Sequence, residues 1–391
     1  MTPKSPPRKS SWSWRSRAFR GLVYQVVALA LIGLAAWFLW SNTLTNMRVR
    51  GIQSGFDFLS QPAGFSIGES LYPFDSGESY LRAFGVGLTN TLRVAVAGIV
   101  LATILGTLIG IGRFSRNGLV RALCSAYVEC FRNIPVLLQL LVWYLVLTEV
   151  FPTIQNAWKL GPFFLSKGGL NFPAPVWGPG ELWLGAGLAA GAALAWGWRH
   201  RARRQFDLTG RARSMFWVPL ALLLAGAFGG WLAGGASTVL DYPVKGEFAV
   251  ENGGALTPEF LALLLGLTMY TAGFIAEVVR SGIASVPAGQ AEAASALGLD
   301  RQLEIRLILL PQALRVIIPP LTNQYLNLTK NSSLAVAIGY PDIVSIANTA
   351  MNQTGRAVEC IAILMSVYLT LSLLTSGGMN WYNARVAIKE R

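Results

Sequence analysis

Residues 292–311 read EAASALGLDRQLEIRLILLP, and they follow an apolar run of membrane-crossing length, FLALLLGLTMYTAGFIAEVV at 260–279. The stretch carries Glu292, Asp300, Arg301, Glu304 and Arg306. A charge at bilayer depth costs several kcal/mol, so this segment cannot sit in lipid. It is a structured loop lying outside the membrane, between spans.

The composition agrees. The 391 residues are 53% hydrophobic and 13% charged, with a mean hydropathy of +0.47. A soluble domain carries about 25% charged residues. Several runs approach the roughly 20 apolar residues that cross a bilayer as a helix. The chain is therefore read as an all-α polytopic membrane protein with about eight transmembrane helices. They fall near 21–41, 84–112, 134–152, 181–198, 215–235, 258–281, 314–339 and 357–378. The segment 153–256 is rich in Gly, Pro and Trp and holds two less typical spans. It reads as an insertion between two halves of a core, 84–152 and 257–383.

The formal charge of +13 comes from 32 basic and 19 acidic residues. It is distributed by loop. Residues 1–20 carry Lys4, Arg8, Lys9, Arg15, Arg17 and Arg20. The loop after the second span carries Arg113, Arg116, Arg121 and Arg132. The one after the fourth carries Arg199, Arg201, Arg203, Arg204, Arg211 and Arg213. The tail 384–391 adds Arg385, Lys389 and Arg391. The intervening loops are poorer in Lys and Arg, so the positive-inside rule places both termini and the 292–311 loop in the cytoplasm. Segment 42–83 mixes basic residues with Asp57, Glu69, Asp75 and Glu78 and is read as periplasmic. The apolar part of the first span is too long for a signal-peptide core, and no small-residue cleavage site follows it. An Arg- and Ser-rich tail also suits a mitochondrial transit peptide, the alternative for residues 1–20.

Local signals shape the 285–311 loop. Pro287 suits a first helical turn. Ala291, Ala293, Ala294 and Ala296 favour helix. Gly298 suits the left-handed residue just past a helix end. Asp300 can cap a second helix running to Leu309 or Leu310, with Pro311 following. Two short helices joined at a sharp turn are expected. Small alanines let the first lie close in a groove of another protein, and a rigid lever passes motion to the spans on either side.

The pattern resembles the coupling loop of the permease subunits of ATP-binding-cassette importers, with Glu292, Ala293, Ala294, Gly298, Ile308, Leu310 and Pro311 in the motif positions. The likeness continues through NTLR (90–93), FRNIPVLLQ (131–139), YTAGFIAEVVR (270–280) and LTKNSSL (328–334). These are similar to the polar-amino-acid permeases of the histidine/glutamine/arginine class. The insertion and the long first loop resemble the larger Q-type permease of general L-amino-acid systems. Asn133 stands where many relatives carry Gly. The resemblance implies a MetI-like five-helix permease core plus an N-terminal helix and an inserted helix pair, in the bacterial inner membrane. It implies a second permease, two copies of an ATP-binding subunit and a periplasmic amino-acid-binding protein as partners, with no cofactor in this chain. ATP hydrolysis is expected on a partner, because no G-x-x-x-x-G-K-[ST] phosphate loop occurs here.

Polar residues inside spans suggest a path. Asn323, Asn327 and Lys330 recur at i, i+4 and i+7 on one helical face, and Leu321, Tyr325 and Leu328 form a second, apolar one. Asn331 and Ser332 follow, and Pro319-Pro320 is expected to bend the helix. This polar face either lines a water-filled path, with Lys330 meeting a substrate carboxylate, or bonds neighbouring helices. Asn90, Thr91 and Arg93 pose the same alternative, as do Gln139 and Glu149. Trp12, Trp14, Trp196, Trp198 and Trp217 read as interface anchors.

Other classes are constrained. Cys124, Cys130 and Cys360 lack metal-ligand spacing, and His200 is the single histidine, within an arginine cluster. A His-based dyad or a His-containing zinc site is excluded, and the chain is not expected to be an enzyme. Basic residues scattered among loops argue against a nucleic-acid binder. An ion-gradient-driven secondary amino-acid transporter remains the competing function, since broken helices and buried polar groups occur there too.

Overall fold

The computed structural model describes residues 16–49, 51, 54–176, 179–209, 214, 216–235, 240–246 and 249–386. Most of the basic tail, including Trp12 and Trp14, lies outside the described residues, as do Arg211, Arg213, Lys389 and Arg391. Twelve α-helices occur among the described residues: α1 (Arg17–Val49), α2 (Tyr80–Gly112), α3 (Gly118–Asn133), α4 (Val136–Leu145), α5 (Pro179–Thr209), α6 (Trp217–Ala233), α7 (Pro258–Ala284), α8 (Ala288–Ala296), α9 (Arg301–Leu303), α10 (Leu310–Asn331), α11 (Ile343–Thr354) and α12 (Ala357–Val386).

Among the described residues, five helical segments are long and apolar enough to cross a membrane: 19–49, 80–112, 258–284, 301–338 and 357–384. A sixth is a bent pair, α3 with Val136–Val150, turned through 104°. The sequence placed 113–133 in a loop because of its arginines. The structure corrects this: α3 is a 16-residue helix capped by Asn117, whose side chain accepts from the amides of Leu119 and Val120. The bend falls at Ile134-Pro135, where proline disfavours helical backbone in the residue before it. The seven-residue 3₁₀ run after α10 ends at Gly339, which adopts a left-handed φ of +78°. Pro319 and Pro320 do not break α10, which runs through both.

The inserted segment adds short strands to the helical frame: β1 (Trp158–Leu160), β2 (Phe163–Ser166), β3 (Gly169–Phe172), β4 (Ala174–Pro175), β5 (Leu240–Asp241), β6 (Val244–Lys245), β7 (Val250–Glu251) and β8 (Gly254–Leu256). β1, β2, β3 and β8 form an antiparallel sheet in that order. The pairing of β3 with β8 brings the start and end of the insertion side by side. That is why so long an insertion can enter the chain without displacing the helices on either side. Between them, α5 and α6 form a hairpin. Its glycines meet backbone to backbone: a Cβ on Gly187 would lie 2.2 Å from the Gly226 carbonyl oxygen, and one on Gly230 would lie 2.3 Å from that of Trp183.

Two compact units divide the chain, residues 1–90 with 341–373, and 91–340 with 374–391. In the first, Phe58, Tyr80, Phe84, Ile343, Ile346 and Cys360 share a buried cluster. Arg356 holds the 54–60 segment there, donating to the Gly55 carbonyl at 3.2 Å and pairing with Asp57 at 3.1 Å. Glu359 accepts from the Gly55 amide at 2.7 Å. In the second unit, the buried core runs through Val94, Leu140, Phe260, Leu263, Leu267, Ile275, Ile317 and Leu328.

Candidate coupling elbow and polar path

α7 begins with Thr257, whose hydroxyl accepts from the Phe260 amide at 3.1 Å, with Pro258 in the first turn. Capping and proline at this position both offset amides that have no helical partner. The helix is gripped along its length. Gly106 of α2 would place a Cβ 2.7 Å from Ile275, and Gly110 one 2.9 Å from Val279. Small residues at such a contact let two backbones approach closely. Farther on, Gly282 faces Ile317 of α10 at 2.2 Å from its ideal Cβ. The helices entering and leaving the 285–311 loop are therefore locked together by a residue that has no room for a methyl group.

Glu277 ties this end of α7 to its neighbours. Its carboxylate accepts from Arg113 at 2.5 Å and from Arg280 at 2.5 Å, and Arg132 lies 3.9 Å away. Arg132 also stacks over Phe274, 5.1 Å from the ring centre. Within YTAGFIAEVVR this acid is a functional residue that sequence reasoning missed. Its signal was an isolated carboxylate in an apolar span with Arg three residues on and arginines at the end of the second span.

The loop itself is an elbow. α8 is followed by Gly298 at φ +73°, a left-handed conformation that favours glycine. Asp300 then caps the next helix through the Leu303 amide at 2.8 Å. The expected stop at Pro311 is corrected. The helix continues through a π-helical stretch, Glu304–Leu309, into α10, with Pro311 in that helix's first turn. Because the helical run is continuous there, Pro311 omits one ladder hydrogen bond, at the point where π-helix gives way to α-helix. The second arm of the elbow is thus the start of the long polar helix itself.

The motif residues separate by side. Ala294 is fully buried, and its carbonyl accepts from the Leu299 amide at 3.1 Å. Glu292, Ala293 and Gly298 are exposed. The expectation that both Ala293 and Ala294 meet a partner is revised here: Ala294 packs inside its own elbow, where any larger side chain would pry α8 off. Leu297, unremarked in the sequence, is 79% exposed at the turn. Ile308 is partly buried and Leu310 exposed. Arg301 pairs with the buried Glu304 at 2.5 Å, and Gln312 donates to Gln290 at 3.2 Å across the elbow.

On α10, Asn323, Asn327 and Lys330 are all exposed. The apolar face does the packing: Leu328 is buried, and Leu321 and Tyr325 lie against the core. Tyr325 shares a 2.9 Å hydrogen bond with Thr103 of α2. Asn331 is half-buried and Ser332 fully buried, its hydroxyl donating to the Thr329 carbonyl at 2.7 Å. Gln139 lies near the start of α4. It is buried, and its amide donates to the Phe131 and Ile134 carbonyls at 2.9 Å each, satisfying groups freed at the α3–α4 bend. Asn90, in the other unit, donates to the carbonyls of Glu69 and Pro341 at 2.8 and 3.0 Å. Thr91 is fully buried. Arg93 lies over the Phe260 ring at 4.3 Å. Glu149 pairs with Lys167 at 3.7 Å, at an exposed site.

Known proteins share this sequence plan. A family model described as binding-protein-dependent transport system inner membrane component matches residues 98–388. The chain is 45% identical to the general L-amino acid transport system permease protein AapQ of Rhizobium johnstonii, over 99% of this chain and 98% of that protein. It is 45% identical to the putative amino-acid ABC transporter permease protein YhdX of Escherichia coli, over 98% of each. It is 39% identical to the glutamate/glutamine/aspartate/asparagine transport system permease protein BztB of Rhodobacter capsulatus, over 100% of this chain and 98% of that protein.

Proposed function

The chain belongs to the family of binding-protein-dependent transport system inner membrane components, and from that premise we propose that it is a permease subunit of an ATP-driven importer for L-amino acids. The names of its relatives, permease proteins for amino acids, support amino acids as the cargo class. A second permease completes the path, and two copies of a separate ATP-binding subunit engage the elbow from the cytoplasm. A binding protein delivers the amino acid on the periplasmic side. Both termini are cytoplasmic, consistent with the arginine-rich loops.

The observation that carries the reading is the elbow: exposed Glu292, Ala293 and Leu297 on a short helix whose two flanking spans are interlocked at Gly282 and Ile317. A push on α8 is delivered to α7 and α10 together, because a close-packed contact has no slack to absorb it. α10 in turn presents Asn323, Asn327 and Lys330. Polar groups at membrane depth are stable only against protein or water, so this face lines the passage with the second permease. Lys330 attracts the substrate carboxylate, and the asparagines exchange hydrogen bonds with it as water is shed.

The test is uptake into proteoliposomes holding the assembled complex. Transport should require ATP and fall by about 100-fold in Glu292→Arg and in Gly298→Trp, the scale of lost coupling rather than of a surface change. Gradient-driven uptake by the chain alone, with no ATPase present, would establish the secondary-transporter reading instead.

A further inference from the structure

The α5–α6 hairpin ends in a feature that transport coupling does not use. Its glycine contact runs from Gly187 and Gly191 on α5 to Gly226 and Gly230 on α6. At the level of Trp198, whose indole N–H donates to the Ser214 carbonyl at 3.2 Å, the paired part ends. α5 continues to Thr209, roughly 16 Å further at 1.5 Å per residue. On this length Arg199, Arg201, Arg203 and Arg204 are exposed. In sequence, residues 182–240 contain a single acid, Asp207.

One side of this extension is hollowed. A cavity of about 410 Å³ is lined by Trp198, Arg201, Ala202, Arg204, Gln205 and Leu208. Ala202, among the lining residues, is buried. Arg201 and Arg204 are three apart on the helix, so their guanidiniums converge on that side, and Gln205 adds an amide donor. Paired guanidiniums match the oxygens of a phosphate. The indole of Trp198 and Leu208 supply an apolar wall.

The surroundings identify the phosphate's carrier. Immediately before the arginines, Leu194 and Trp196 are exposed on α5, and Trp217, Leu224 and Phe228 are exposed on α6. A ring of tryptophans below a basic cluster is the pattern of a membrane interface, where anionic headgroups gather. We propose that the cavity at the arginine-bearing end of the α5–α6 hairpin is a binding site for the phosphate headgroup of an anionic phospholipid. The bound lipid fastens that end of the hairpin to the bilayer surface.

Native mass spectrometry of the full-length chain, purified with its co-purifying subunits from mixed phosphatidylglycerol and phosphatidylcholine nanodiscs, tests this. Arg201→Gln/Arg204→Gln should lower retained phosphatidylglycerol by about tenfold, the scale of two lost contacts to an anionic lipid. Arg199→Gln/Arg203→Gln removes the same charge outside the cavity and should change retention by less than about twofold. Unaltered elution volume of both variants shows that they remain folded. Equal losses in the two variants, or no loss in either, would overturn the site. Displacement of the lipid by inorganic phosphate alone would overturn the lipid as its occupant.

Discussion

The α2–α7 and α5–α6 contacts are both built on glycine, but they are different machines. In the first, Gly106 and Gly110 receive the side chains of Ile275 and Val279, and the same α7 goes on to meet α4 and α10. In the second, glycine meets glycine, and α5 and α6 pack chiefly on each other. A helix shared by several neighbours transmits displacement, whereas a self-contained pair moves alone. Under the proposed coupling, the difference joins a force-bearing core to an insertion packed mainly on itself.

The sharpest way to break this comparison is Gly106→Leu. Its side chain would enter space filled by Ile275 and the Ala272 carbonyl. Overpacking of this kind costs about 1–3 kcal/mol, and more where backbone must shift. Folded protein in the membrane should drop sharply on quantitative immunoblotting, and ATP-dependent uptake should vanish. Wild-type abundance and uptake would mean that α2 and α7 do not interlock.

Gly226→Leu is the matched lesion in the hairpin, where the first added carbon would meet the Gly187 carbonyl at 2.4 Å. The hairpin should open, seen as faster amide hydrogen exchange through α5 and α6. Uptake should stay within about threefold of the parent, since local opening need not reach a separately packed region. Collapse of uptake would merge the two regions into one cooperative body.

A smaller effect is expected from Glu277→Gln. The amide keeps the shape but loses the charge that Arg113 and Arg280 share. Hydrogen bonds to charged groups contribute about 1.5–3 kcal/mol each, so the detergent-solubilised protein should melt several degrees lower. An unchanged melting temperature would remove Glu277 from the scaffold behind the elbow.

Much of this was legible in the sequence because the decisive signals are local. Alanines, Gly298 and Asp300 specify helix, left-handed turn and cap within a dozen residues, and the apolar runs announce the spans. Signals that depend on packing were not legible. Ala293 and Ala294 are identical in type, and only the fold decides that one faces out and the other in. α3 was hidden because its arginines read as loop, although they lie along a capped amphipathic helix. Two strand pairings of the insertion span the hairpin, β3 with β8 (Leu170 opposite Leu256) and β4 with β5 (Ala174 opposite Asp241), and so leave almost no local trace. For Gln139 the sequence offered a polar group in an apolar span, and only the bend at Pro135 reveals the carbonyls its amide serves.

The central claim is that the elbow takes force from a nucleotide-hydrolysing partner and hands it to α7 and α10. Site-directed crosslinking tests it most directly, with Ala293→Cys and Leu297→Cys introduced in turn into the assembled complex. The account predicts a crosslink from both positions to the ATP-binding subunit, and none from the inward-facing Ala294→Cys. No crosslink from either exposed position, or labelling of them only by reagents confined to the periplasm, would contradict it.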